Sequence, residues 1–372
     1  MNSSPSIRPI ARESLEHRLQ RVIDAHFDPR GGSAFWLDRA ARLGIDARRI
    51  VRGVPDLALL GEMTPADLAS RPLVDFIPRR FHNRLDRFIV GQTGGTTAMS
   101  SAGERIGNFG PWSAFREDEF DEAFVLPFVE AAAHVSFPPH ESWLFVGPTG
   151  PHIIGKVIAR LAASLGSHDP FSVDFDPRWA KRLADGSFAR DRYLNHVIEQ
   201  AMAVITTQNI GVLFTTPPVL AAMAAAMTPL QRQRIAGIHY GGLPVTPQQM
   251  ARFQTEWFPR AVHLSGYGNT LLGCCLELNV APGRQLDYFP MGDRLLLEVV
   301  DDAGRAMPAG STGQVRVTRL DESMLIVRMR ERDFGELILP PAGAPAEFHL
   351  PGIRNPGPPP SVALRPVATG LY

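Results

Sequence analysis

Four times in this chain a threonine is followed directly by a proline, at Thr64-Pro65, Thr216-Pro217, Thr228-Pro229 and Thr246-Pro247. A threonine hydroxyl is a good N-cap acceptor, and proline is pre-set for the first helical position, where its missing N–H costs nothing. Gln231 and Gln249 stand three residues after their threonines and complete two capping boxes. Between these helix starts lie short apolar runs at residues 142–146 and 210–214 that read as buried strands, while 156–165 and 219–227 read as helices. Strands that alternate with helices in this way predict an α/β domain built on mixed, largely parallel sheets with flanking helices.

The flanks of that core read differently. Leu15, Leu19, Val22 and Ile23 recur at helical spacing and open a helical lead-in over residues 1–85. Residues 86–290 form the α/β core. Over 291–339 the periodicity drops to two, with strand-like runs at 295–300, 314–318 and 324–329 and a hairpin turn at Asp301-Asp302-Ala303-Gly304, which predicts a small β subdomain. Residues 340–372 are rich in proline and glycine, Pro356-Gly357-Pro358-Pro359-Pro360 above all, and are expected to be an extended or disordered tail that nucleotide binding can spare.

Composition narrows the function classes. Lys plus Arg and Asp plus Glu are both 38, so no net field recruits nucleic acid or an anionic membrane. No run approaches the roughly 18 apolar residues of a membrane span, and residues 1–18 lack a signal core. The cysteines, Cys274 and Cys275, are adjacent and cannot staple distant segments, which fits a reducing, cytoplasmic setting.

Two segments compete as phosphate sites. Thr93-Gly94-Gly95-Thr96-Thr97 follows a strand-like run and combines unhindered backbone N–H groups with rotatable hydroxyls, the materials of an anion-binding nest. Gly150 to Lys156 has the spacing of a P-loop, but Val157 stands where the magnesium-binding Ser or Thr belongs, and Pro151 removes a cradle donor. Three further segments are Ile238-His239-Tyr240-Gly241-Gly242, Leu264-Ser265-Gly266-Tyr267-Gly268-Asn269-Thr270 and Arg328-Met329-Arg330-Glu331-Arg332-Asp333.

In order and spacing, these segments and the Thr/Gly loop resemble the adenylate-forming (AMP-binding) superfamily over residues 85–335, and within it the phenylacetate-CoA ligase branch and its shortened members from antibiotic pathways such as phenazine biosynthesis. The resemblance implies ATP-dependent activation of a carboxylic acid to an acyl-adenylate, an aromatic acid such as a phenazine carboxylate, with Mg as co-factor ion. A reductase or acyl-acceptor enzyme would take the product, and a homodimer is implied.

It also implies residue roles: Thr93, Gly94, Gly95, Thr96, Thr97 and Thr270 at the phosphates, Gly241 and Gly242 under the adenine, Tyr267 stacked on it with Gly268 and Asn269 alongside, and Asp333 on the ribose. His152, Tyr240 and Arg178 would line the acid pocket. The core readings stay open beside these: Tyr267 as a packed aromatic, Asp333 as a surface ion pair, and Phe171, Phe175 and Trp179 near Arg178 as a packed edge. Two departures stand out. Leu271 occupies the position of the usual magnesium-binding Glu, which leaves Thr270, phosphate oxygens, water or another acid such as Glu277. The family's C-terminal lid domain, with its lysine, has no counterpart in the 39 or so residues after Asp333, among which there is no lysine. A nucleotide-binding protein without catalysis, a fatty-acyl acyl-protein synthetase and a P-loop NTPase are the alternatives.

Overall fold

The computed structural model describes residues 14–93 and 110–359, apart from Lys181, Asp185 and Pro244. Threonine starts three of the expected helices. The hydroxyls of Thr64, Thr228 and Thr246 accept from the N–H of Asp67, Gln231 and Gln249, whose side chains accept in return from the threonine N–H at 2.7, 2.8 and 3.0 Å. Thr216 precedes the helix Pro217–Ala226 in extended backbone but gives it no side-chain cap. The lead-in is helical as far as Arg87, with long helices at Leu15–Phe27 and Ala34–Leu43 followed mainly by short turns.

Thirteen strands follow in the described residues: β1 (Phe88–Gln92), β2 (Trp112–Arg116), β3 (Ser142–Gly147), β4 (Phe171–Asp174), β5 (Ile210–Thr215), β6 (Gly237–Tyr240), β7 (Val262–Asn269), β8 (Gly273–Glu277), β9 (Asp287–Phe289), β10 (Leu295–Val300), β11 (Thr312–Arg319), β12 (Ile326–Ile338) and β13 (Gly352–Gly357). β1 and β2 form an antiparallel hairpin. The others join one mixed sheet in the order β10-β11-β12-β13-β9-β8-β7-β6-β5-β3-β4. From β4 to β7 neighbours are parallel; from β7 onward they are antiparallel. The change of sense happens within β7, whose first half (Val262 to Ser265) pairs with β6 and whose second half (Gly266 to Asn269) pairs with β8.

The parallel half is covered on both faces, as such sheets require. Alternation along β3 sorts its side chains: Leu144 and Val146 enter the core cluster that contains Trp36, Leu213 and Tyr240, whereas Trp143 and Phe145 enter a second cluster with Phe128, Val212 and Leu264. No helix of the described residues is long and apolar enough to cross a membrane.

The tail departs from expectation. It does not end the fold at Leu339, because β13 returns between β12 and β9 and supplies hydrogen bonds to both. Proline marks extended backbone, and here that backbone finds two open strand edges; the composition carried no sign of the long-range pairing.

Deep in the antiparallel half, Asp321 lies between two buried guanidiniums. Arg294 donates to it through Nε and a terminal nitrogen at 3.1 and 2.6 Å, and Arg319 Nε approaches at 2.5 Å. Burial alone would push the Asp321 carboxyl up, but the two arginines overcome it and hold the carboxyl well below the usual range. The remaining guanidinium donors reach backbone: Arg319 bonds the carbonyls of Leu271 and Ala114 at 2.9 and 2.6 Å, and Arg294 bonds that of Leu272 at 2.6 Å. Arg319 also lies 3.7 Å above the Phe115 ring, a cation–π contact. Asp321→Ala leaves two buried positive charges without their counter-ion and is expected to cost about 3–5 kcal/mol in denaturant unfolding. Truncation after Leu339, which strips β13 from two strand edges, should lower the thermal midpoint and weaken any ligand held by the sheet.

Candidate functional site

β6 and β7 run side by side and end at Tyr240 and, for the parallel part, Ser265. Ligands of open α/β sheets bind beyond such carboxyl ends. There a cleft of about 480 Å³, open solvent included, is lined by Gly242, Leu243 and Val245 after β6, Gly266 to Gly268 in β7, Leu286 and Tyr288 at β9, Asp333 in β12, and Asn355 and Pro356 in β13.

Glycine is required where the backbones converge. A Cβ on Gly241 would lie 2.8 Å from the Gly266 carbonyl oxygen, and one on Gly268 would lie 1.9 Å from that of Gly273. The Gly-Gly turn therefore crosses closely over β7, and the Tyr-Gly segment presses on the turn that leads into β8.

Four of the expected nucleotide residues meet here: Gly242, Tyr267, Gly268 and Asp333. Tyr267 Oη donates to Asp333 Oδ2 at 3.3 Å, a long bond. Asp333 reaches the cleft because β12 bulges: Gln314 faces Phe334 and Arg316 faces Arg330, so one intervening residue in β11 is opposed by three in β12. Bulges re-aim side chains in this manner. Burial pushes the Asp333 carboxyl up, against Arg332 and the Tyr267 bond, which pull it down. Asn269 follows Gly268 of the cleft, with its side-chain Oδ1 accepting from the N–H of Leu271 and Leu272 at 2.8 and 3.2 Å.

The floor of the cleft is a polar chain beneath Tyr267. Ser265 donates through N and Oγ to Glu277 Oε2 at 3.1 and 2.6 Å, and its Oγ lies 2.8 Å from Tyr288 Oη. The Tyr267 and Tyr288 rings are 5.9 Å apart. Burial raises the Glu277 carboxyl to about 8, against the two Ser265 bonds, so it is neutral at pH 7. Its Oε2 is taken up by Ser265, and Glu277 is not among the residues that line the cleft.

The phosphate loop falls outside the described residues in large part: Gly94, Gly95, Thr96 and Thr97 lie there, and Thr93 alone is placed. Thr93 is buried just after β1, its N–H donating to the Pro111 carbonyl at 3.1 Å. Its Oγ1 has no partner among the described residues. Thr270 is buried beside the same strand, its methyl 2.9 Å from where a Gly91 Cβ would stand.

The rival loop has a different job. Lys156 Nζ donates to the Val90 carbonyl at 2.7 Å, and Gln92 N–H donates to the Pro151 carbonyl at 2.8 Å, so the segment 150–156 buttresses β1.

Three acid-pocket residues do not join the cleft. Tyr240 is fully buried in the core, its hydroxyl on the Met250 sulfur and its ring edge-on to Phe253, because β6 points it into the layer of helices. His152 is half-buried just ahead of the helix Ile154–Ser164. Arg178 lies beyond β4, at the far edge of the sheet, with its N–H on Asp176 Oδ1 at 2.8 Å. Conversely, Leu286, Tyr288, Asn355 and Pro356 line the cleft without any local sequence signal, since only strand pairing brings them there.

For magnesium, the described residues hold no group of three His, Cys, Asp or Glu. Magnesium needs fewer, since it keeps waters and leans on substrate phosphates. Thr270 and Glu331 are the side chains that fit such a sparse site: Glu331 is bonded to Asn269, has an Oε1 with no partner among the described residues, and is raised to about 7 by burial and then by the Asp333 charge. Leu271, by contrast, is wholly buried in the core.

Among solved structures, the chain superposes on 2-hydroxyisobutyryl-CoA ligase in its thioesterification state with 2-HIB-AMP and CoA, at a TM-score of 0.59 and 15% identity over 92% of this chain and 66% of that one. It also superposes on the same ligase in the postadenylation state with 2-HIB-AMP, at a TM-score of 0.62 and 14% identity over 96% of this chain and 72% of that one. This is the adenylate-forming fold. No family model and no curated protein matches the sequence. Within the adenylate-forming fold the chain spans two thirds to three quarters of the length of these ligases.

The Glu277 carboxyl gives a pH signature. Below pH 4.5 folded and unfolded states both hold its proton; between 4.5 and about 8 only the folded state does, so this group's contribution to stability falls as pH rises through that interval. Glu277→Gln keeps the shape of the neutral acid and should remove the loss. Relative to wild type, its unfolding free energy should gain on the order of 3–4 kcal/mol between pH 5 and pH 8, read from denaturant curves at several pH values.

Proposed function

We propose that this protein activates a carboxylic acid with ATP, forming an acyl-adenylate and pyrophosphate. The observation that carries the proposal is the meeting of Tyr267, Gly242, Gly268 and Asp333 in one cleft at the carboxyl ends of β6 and β7, in a chain with the fold of an adenylate-forming ligase. On this reading a flat base would lie against the glycine turn and Tyr267, and the Asp333 carboxylate would accept from ribose hydroxyls. The acid's carboxylate oxygen attacks the α-phosphorus, and the bond to the bridging oxygen of pyrophosphate breaks. Residues 93–97 and Thr270 are the proposed phosphate donors, and positioning with charge stabilisation is the protein's contribution. Magnesium would add positive charge on the phosphate oxygens, with Thr270 and Glu331 the residues to hold it. We further propose an aromatic acid as substrate, a phenazine carboxylate being the leading member, and a partner enzyme as acceptor, on the strength of the family resemblance.

Leu271 favours a second reading, a nucleotide-binding protein without catalysis, because an apolar core residue stands where the family's magnesium ligand belongs. Carboxylate-dependent exchange of labelled pyrophosphate into ATP separates the two. Exchange with any member of a panel of aromatic and fatty acids supports the enzyme; tight ATP binding without exchange supports the second reading.

Asp333→Ala should weaken ATP and AMP binding by roughly ten- to a hundredfold, the worth of charge-assisted bonds to ribose. 2′,3′-Dideoxy-ATP should bind wild type and variant alike in calorimetry; a variant that still discriminates as wild type does would rule Asp333 out as the ribose ligand.

A further inference from the structure

β13 meets β9 in a ladder of only two residue pairs, Ile353 with Tyr288 and Arg354 with Asp287. Arg354 reinforces it with a two-pronged bond to the Asp287 carboxylate at 2.7 and 2.8 Å. At the next residue the ladder stops, because Asn355 turns to a φ of +47°, the left-handed region that non-glycine residues seldom occupy. Asn355 nevertheless keeps hold of the opposite segment. Its N–H donates to the Leu286 carbonyl at 2.8 Å, the Leu286 N–H donates to its side-chain Oδ1 at 3.1 Å, and its Nδ2 donates to Gln285 Oε1. Backbone and side chain thus grip two consecutive residues of the partner segment.

Three of the groups involved are cleft lining: Leu286, Asn355 itself and Pro356, which follows it. Each end of the Asn355 amide has a partner in the opposite segment, the Leu286 N–H at Oδ1 and Gln285 at Nδ2. Asparagine tolerates the left-handed conformation better than most residues do, and it can bond locally while there. A strained backbone held by a full set of side-chain bonds beside a ligand cleft marks a functional constraint.

We propose that Asn355 is a positioning residue of the nucleotide cleft: it locks Leu286 and Pro356 into the wall against which the bound nucleotide packs, so that the C-terminal strand sets nucleotide affinity. The inference rests on the reading of the cleft as an ATP site.

Three variants test it. Asn355→Gly adopts the same φ without strain and loses only the side-chain bonds; Asn355→Ala loses them and adds strain; Asn355→Asp keeps both contacts once the Gln285 amide turns to donate. ATP and AMP affinities are measured by calorimetry, pyrophosphate exchange gives the KM for ATP and for the acid, and hydrogen exchange follows the Leu286 amide. Asn355→Gly should bind ATP and AMP about tenfold more weakly, with a raised KM for ATP, an unchanged KM for the acid and faster exchange at Leu286. Its thermal midpoint without nucleotide should move by only a few degrees. Asn355→Asp should bind as wild type does.

If wild type binds ATP and Asn355→Gly binds it equally well, or if Asn355→Asp is as weak as Asn355→Gly, the inference is overturned and the ATP reading stands. A matching rise in the KM for the acid overturns it too, as a general loss of structure would act on both substrates. If wild type binds neither ATP nor AMP, the reading of the cleft itself falls and takes the inference with it.

Discussion

The buried Arg294–Asp321–Arg319 cluster is the interaction on which the site's geometry depends. It joins segments with no sequence proximity: the lead-in to β10, the end of β11, the middle of β2 and the turn after Thr270. Two of those segments adjoin proposed phosphate donors, since β2 pairs with β1, which leads to Thr93, and the turn follows Thr270. Burying two guanidiniums and one carboxylate is costly unless every donor finds an acceptor, and here backbone carbonyls take up much of the remainder. The cluster therefore fixes Leu271 and Leu272 through their carbonyls, which explains how Leu271 can be apolar without loosening the turn. Ser113 also bonds Arg319 at 2.8 Å and extends the same grip into β2.

A second constraint is the change of sense inside β7. Up to Ser265 the strand belongs to a parallel sheet packed on both faces; from Gly266 it belongs to an antiparallel one. A crevice opens where the two regimes meet, as at switch points of other open sheets. Glycines cluster there because the backbones approach too closely for a side chain, and the Glu277–Ser265–Tyr288 chain fills the space below with satisfied polar groups.

What the sequence made legible is what short-range chemistry writes. Thr-Pro capping pairs, buried strand runs and the glycines of the Gly-Gly and Tyr-Gly segments each depend on a few neighbouring residues, and they locate the α/β core and one side of the cleft. The other side was not legible. Leu286, Tyr288, Asn355 and Pro356 come together only through β9 and β13, whose pairing spans more than sixty residues of chain. Asp333 was marked by its motif, but the bulge that turns it inward depends on a mismatch with β11. Tyr240 sits beside a glycine turn and looks available to a ligand, yet strand alternation sends it to the core. The opposed charges of Arg294, Arg319 and Asp321 are indistinguishable in sequence from the surface ion pairs seen throughout this arginine-rich chain.

Lysine is scarce in this protein, at Lys156 and Lys181 only, and Lys156 is exposed while its ammonium props up the Val90 carbonyl of β1. Amine-reactive labels and lysine acetylation would find few other targets. Modification of Lys156 would withdraw that prop and disturb β1 and its pairing with β2. Any loss of function after such treatment would then imitate the loss of a catalytic lysine, although the group destroyed is a buttress.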